Sequence, residues 1–139
     1  MKESAKVSMA YIRSRADMHD LHPEFPGQMD IHIHVPEGAV PKDGPSAGVT
    51  LATALYSAIM NRPVHHDMAM TGEITIRGRV LPIGGLKEKV IAAHRAGVKT
   101  VLIPMDNQRN IEDVPPSVLK AVQLIPVSRV EDVLAHALV

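Results

Sequence analysis

Residues 46 to 60, SAGVTLATALYSAIM, form a helix-length run that is apolar or small on nearly every side. Ala47, Val49, Leu51, Ala52, Ala54, Leu55, Ala58 and Ile59 leave no continuous polar face, and a helix of that kind is buried on most sides. The other elements must therefore wrap around it as the central helix. The chain leading into it is of the opposite character. Residues 36 to 50, PEGAVPKDGPSAGVT, hold three prolines and three glycines with no apolar period, which predicts a long loop ending at the helix start. Ser46 stands at that junction, where the first backbone N–H groups of a helix lack partners and the helix dipole is positive. A serine there is either an N-cap or a nucleophile whose developing oxyanion the same N–H groups would hold. The junction alone leaves both open.

Composition narrows the field. The 139 residues suit one domain with a genuine core. Fifteen basic and fifteen acidic side chains cancel, so no charge excess favours nucleic acid or a membrane surface. One Phe, two Tyr and no Trp give no stacking platform for bases. The absence of Cys removes disulfides, thiolate metal sites and a cysteine nucleophile. No apolar run reaches transmembrane length, and no signal-peptide pattern opens the chain.

Along the chain, residues 3 to 18 predict an amphipathic helix with Ala5, Met9, Ile12 and Ala16 on its inner stripe. After the loop HPEFPG, residues 29 to 35 alternate strictly. Ile31, Ile33 and Val35 are on one face and Asp30, His32 and His34 on the other, as in a strand with one buried face. His32 and His34 also have metal-ligand spacing, but no third ligand is evident, so no metal is expected. Beyond the central helix, a strand bends at Gly72, and a second short strand follows a turn at Gly78. A helix then covers 85 to 96 and closes at Gly97. Strands at 100 to 104 and 122 to 127 flank short helical turns. The helix 128 to 138 ends the chain, with Ser128 and Glu131 as its capping box and Val130, Val133, Leu134 and Ala137 as its apolar stripe. Strands alternating with helices predict a mixed α/β domain over 1 to 139.

One lysine does not fit a solvated helix face. At about 100° per residue, Leu86, Val90, Ala92, Ala93, Ala96 and Gly97 form an apolar arc, and Lys89 falls inside it while Lys87 falls outside. A buried ammonium must find a partner, snorkel to water, or lose its proton. Asp43 or Glu73 could pair with it. A neutral amine poised as a base is the other reading, and with Ser46 it would complete a Ser-Lys dyad.

PKDGPSAG around Ser46, TGE at 71 to 73, and GGLKEK ending at Lys89 closely resemble the proteolytic domain of the Lon ATP-dependent proteases, in the bacterial and mitochondrial branch. The resemblance also takes in HIHVPEGA before the serine and IAAHRAG after the lysine. It implies a fold related to the ribosomal-protein-S5-like superfamily (S5 domain 2-like). It implies Ser46 as nucleophile, Lys89 as general base, Thr71 orienting the lysine, Asp43 beside the nucleophile and His34 bordering the site. It further implies hydrolysis of unfolded or damaged proteins in a bacterial cytoplasm, by a homo-hexameric ring fed by an ATPase module. No GxxxxGK[ST] occurs, so no cofactor is expected in this chain; ATP and Mg belong to that other module. The family carries strand-forming sequence ahead of the first helix, so the expectation is a domain truncated at its N-terminus, lacking those strands. Two other readings stay open. One is a galactokinase-like phosphotransferase, whose phosphate loop is also a Pro/Gly/Ser stretch entering a helix. The other is a non-catalytic ring-assembly module in which Ser46 is only a cap.

Overall fold

The computed structural model describes residues 2–15, 30–34 and 45–139. Helix α1 (Lys2–Ser14) opens it. A 3-10 turn (Pro45–Ala47) leads into α2 (Gly48–Met60), followed by β1 (Met68–Met70), β2 (Glu73–Ile74), β3 (Val80–Leu81) and α3 (Leu86–Arg95). Then come β4 (Thr100–Pro104), a 3-10 helix (Met105–Asp113), α4 (Pro116–Ala121), β5 (Gln123–Val127) and α5 (Val130–Ala137). The strands form a parallel sheet in the order β1-β4-β5 and a separate antiparallel hairpin of β2 and β3. This is a mixed α/β domain with both kinds of sheet. Among the described residues no helix is long and apolar enough to cross a membrane.

β4 is the hub. Val101, Leu102 and Ile103 are all buried, as a central parallel strand covered on both faces requires. Alternation then sends Leu102 into one hydrophobic cluster and Val101 and Ile103 into another. The first cluster joins the sheet to α1, α2 and α5 through Ile12, Val49, Leu55, Val133 and Leu134. The second holds α3 and α4 on the opposite face through Leu86, Val90 and Val118. Each such fully buried side chain contributes about 1.5–3 kcal/mol relative to exposure.

Several expectations need correction. The helix at the serine begins as a 3-10 turn, and α2 proper starts at Gly48. It is buried on one broad side only, because Thr50, Ala54 and Ala58 are exposed among the described residues. In α1 the buried residues are Ser4, Ser8, Tyr11 and Ile12; of the expected stripe Ile12 is buried, Ala5 and Met9 are half-buried, and Ala16 lies outside the described residues. Serines pass for surface residues in a sequence. Here Ser8 Oγ lies 2.7 Å from the Ser4 carbonyl oxygen and 3.2 Å from that of Gly48, which satisfies a buried hydroxyl and ties α1 to the start of α2. Residues 30–34 form no strand: they have no pairing partner among the described residues, and Ile31 and Ile33 are 37% exposed. Alternation prepares a strand, but backbone pairing makes one. Finally, α5 starts at Val130, so its carboxylate cap is Asp132, which accepts from the backbone N–H of Ser128 and Arg129. Glu131 is drawn instead to Tyr11 and Arg129.

Candidate active site

The site assembles just past the carboxyl end of β1. Thr71 follows that strand, its N–H bonded to the Leu102 carbonyl of β4. Gly72 then crosses the 3-10 turn. Its N–H donates to the Ser46 carbonyl at 2.9 Å, and its own carbonyl accepts from the Val49 N–H at 3.0 Å. These two bonds to Gly72 hold the turn that carries Ser46 against the end of the sheet. Only glycine permits this approach, because a Cβ on Gly72 would lie 2.7 Å from Val80 Cγ1 and 3.1 Å from Val49 Cγ1.

α3 brings in the lysine. Leu86 and Val90 anchor the helix in the second cluster, and Lys89 lies between them on the first turn. Its Nζ donates to Ser46 Oγ at 2.8 Å and makes a longer contact of 3.4 Å with Thr71 Oγ1. Lys87 is exposed, as the helical phase predicts, and so are Ala92, Ala96 and Gly97; the apolar arc is narrower than the sequence suggests. Among the described residues no carboxylate comes within ion-pair distance of Lys89. Burial holds the Lys89 pKa below the ordinary lysine value. The two neutral hydroxyl oxygens around the amine offer little to reverse this.

Ser46 does not cap α2. The N-cap position is Ala47, no side chain caps the helix, and the serine hydroxyl is directed to Lys89. The Val49 N–H is committed to Gly72, so the helix start offers fewer open donors than its sequence suggests. Of the other expected site residues, Thr71 is buried, with Oγ1 3.4 Å from Lys89 Nζ. His34 is exposed and makes no hydrogen bond to Ser46, Thr71 or Lys89. Asp43 lies outside the described residues. Among the described residues no three His, Asp or Glu side chains gather where they could hold a metal ion.

Two contributors escaped the sequence reading. Gly72 was legible as a bend, but nothing in TGE announces its bonds to Ser46. Asn107, 3% exposed, holds the loop before α3 through its side-chain amide. It stands in a polar stretch, MDNQRN, where no spacing separates it from solvated neighbours.

A hydroxyl and a partly desolvated amine at hydrogen-bond distance can exchange a proton, which is the minimum a serine nucleophile needs. The whole chain, residues 1–139, matches the family model of the Lon protease (S16) C-terminal proteolytic domain. Lon protease of Brevibacillus choshinensis is 60% identical over 99% of this chain. Lon protease 1 of Bacillus subtilis (strain 168) is 57% identical over 100% of it, and Lon protease of Escherichia coli (strain K12) 54% over 99%. The chain spans 18% of the length of each of these relatives. A serine at hydrogen-bond distance from a lysine, on a chain matched from end to end by one peptidase domain, leads to a single assignment: this chain belongs to the Lon protease (S16) C-terminal proteolytic domain family, a family of serine peptidase domains.

Proposed function

We propose that this domain hydrolyses peptide bonds with Ser46 as nucleophile and Lys89 as general base. The observation that carries the reading is the 2.8 Å separation of Ser46 Oγ and Lys89 Nζ. Neutral Lys89 takes the hydroxyl proton as Ser46 Oγ bonds to the substrate carbonyl carbon. The charge moves to the carbonyl oxygen, at the positive end of α2. Lys89 then gives the proton to the departing amine nitrogen, leaving an ester on Ser46. Water repeats the sequence: Lys89 takes its proton, the hydroxyl oxygen bonds to the acyl carbon, and Ser46 leaves with the proton returned. Thr71 Oγ1 keeps the amine aimed between these partners. For Asp43 and His34 the reading retains the supporting positions that the family resemblance implies.

The substrates of this reading are unfolded or damaged proteins. They would be delivered by the ATPase module of a longer protein that works as a hexameric ring in the bacterial cytoplasm, with ATP and Mg bound on that module. The fold would be that of the S5 domain 2-like superfamily, in a single domain over residues 1–139. The test is acylation by an activated ester. p-Nitrophenyl acetate should place one acetyl group on Ser46 of the wild type and none on Lys89→Ala. Equal labelling of the two proteins would leave Ser46 unactivated and favour a non-catalytic role.

A further inference from the structure

Lys89 sits on the first turn of α3, which Leu86 packs into the second hydrophobic cluster and which the preceding loop enters. Residues 82–85, Pro-Ile-Gly-Gly, join β3 to α3. Gly84 and Gly85 are exposed, and a Cβ on Gly84 would meet nothing within 4 Å. An open depression of about 350 Å³, lined by Gly84, Gly85, Glu88 and Asn110, leaves the outer side of the loop unsupported. Ile83 packs against the second hydrophobic cluster, and one further side chain supports the loop through hydrogen bonds. Asn107 Oδ1 accepts from the Ile83 N–H at 2.9 Å, and Nδ2 donates to the Ile83 carbonyl at 2.9 Å. The amide thus pairs with one residue's backbone as a neighbouring strand would. The second Nδ2 proton goes to Asn110 Oδ1 at 3.0 Å. Among the described residues these are the only side-chain hydrogen bonds that residues 82–85 make.

Asn107 is itself well placed to transmit position. It belongs to the 3-10 helix that leaves β4 directly after Ile103 and Pro104, both buried. We propose that Asn107 is the positioning residue for Lys89: its amide clamps Ile83 to the end of the central strand and so fixes the first turn of α3 where the amine reaches Ser46. This rests on the Ser46 and Lys89 reading above. A drift of about 1 Å in that turn would carry the pair out of hydrogen-bond range, and misplacement on that scale costs about 100-fold in rate. A merely structural Asn would lower stability and leave the reactivity of the folded protein unchanged.

The experiment measures the rate of Ser46 acetylation by p-nitrophenyl acetate against pH, with acetyl-Ser46 counted by mass spectrometry. The proteins compared are wild type, Lys89→Ala, Asn107→Ala and Val118→Ala. Val118 packs in the same cluster, on α4, and takes no part in the hydrogen bonds of the clamp; it reports the effect of lost packing in that layer. Per folded molecule, Asn107→Ala should acetylate at least about 10-fold more slowly at neutral pH. The midpoint of its pH profile should shift up toward that of an ordinary lysine. Val118→Ala should keep the wild-type profile. An Asn107→Ala profile equal to that of Val118→Ala would overturn the proposal. If wild type and Lys89→Ala share one profile, the dyad reading fails and takes the clamp's role with it. Should Asn107→Ala not fold, Asn107→Asp, which keeps the acceptor but loses the donor to Ile83, is judged by the same criteria.

Discussion

Lys89 Nζ and Ser46 Oγ meet at 2.8 Å although 43 residues separate them in the chain. They also arrive from opposite faces of the parallel sheet. Lys89 comes on α3, packed against Val101 and Ile103, and Ser46 on the turn into α2, which packs against Leu102. They touch only beyond the carboxyl end of β1, where Thr71 closes the gap. That is where open α/β sheets place ligands, because helices on both faces leave a crevice there.

Lys87 and Lys89 separate mechanism from charge, since they are about 200° apart on the helix. Lys89→Arg keeps the positive charge but cannot release a proton at working pH. Peptide cleavage should fall by about 10²–10⁴-fold in Lys89→Arg, Lys89→Ala and Ser46→Ala, with the fold preserved by circular dichroism. Lys87→Ala should stay within about twofold of wild type, because that side chain is solvated. A dead Lys87→Ala beside an active Lys89→Arg would reverse the assignment.

The pH dependence has a definite sign. The base must be neutral, and burial lowers the Lys89 pKa from the ordinary lysine value. Acylation of Ser46 should therefore rise with pH and level off below the range in which a solvated lysine titrates. A rate still climbing through that range would mean that Lys89 is not desolvated when it reacts.

Stability should rise with pH over the same range as activity. A lysine pKa lower in the folded chain than in the unfolded one means that the unfolded chain binds more protons between the two values. Stability then rises with pH across that window, and below it the folded state bears the cost of a buried ammonium. Lys89→Met, apolar and of similar length, should raise the melting temperature at neutral pH, and the gain should shrink at alkaline pH. A lower melting temperature for Lys89→Met at neutral pH would show that the amine stabilises the fold.

Gly72→Ala tests the backbone tie. Its Cβ would press on Val80 and Val49, both in the first hydrophobic cluster. Relief requires the strand end to retreat from Ser46, stretching the bonds that hold the turn. The expected cost is about 1–3 kcal/mol in denaturant unfolding, with a loss of Ser46 acylation larger than the unfolded fraction explains. Full acylation per folded molecule would show that the tie is not needed.

Gly78→Ala should destabilise through a different contact. The residue has φ +87°, and a Cβ there would overlap the ring of Tyr11, which is wholly buried in α1. Both the positive φ and the clash act against alanine, so a loss of more than about 1 kcal/mol is expected. Pairing it with Tyr11→Leu should recover part of that loss, since residues in contact couple. Strictly additive effects would indicate that the backbone angle alone matters.

The sequence was most informative where periodicity met burial. The helical phase of residues 86–95 separated Lys89 from Lys87, and the apolar runs at β4, β5 and α5 marked elements the structure contains. It failed where a residue's role depends on a partner that the local pattern does not show. Ile31 and Ile33 alternate as a strand does, yet have no partner among the described residues. Ser8 looks like a surface residue until its carbonyl partners are supplied. Gly72 and Asn107 bond to backbone atoms remote in the chain, and no spacing encodes that.

The placement of β4 between two helical layers bears on how the chain loses activity. α3 and α4 pack on the sheet through a cluster separate from the one that holds α1, α2 and α5, so a local opening on that face is expected to leave the other face closed. Such a partial opening needs less free energy than global unfolding. It would withdraw the amine and leave the serine in place. Amide exchange along α3 then reports how often the pair comes apart, and the protection of that one helix, rather than the melting temperature of the whole domain, limits how long a competent site persists.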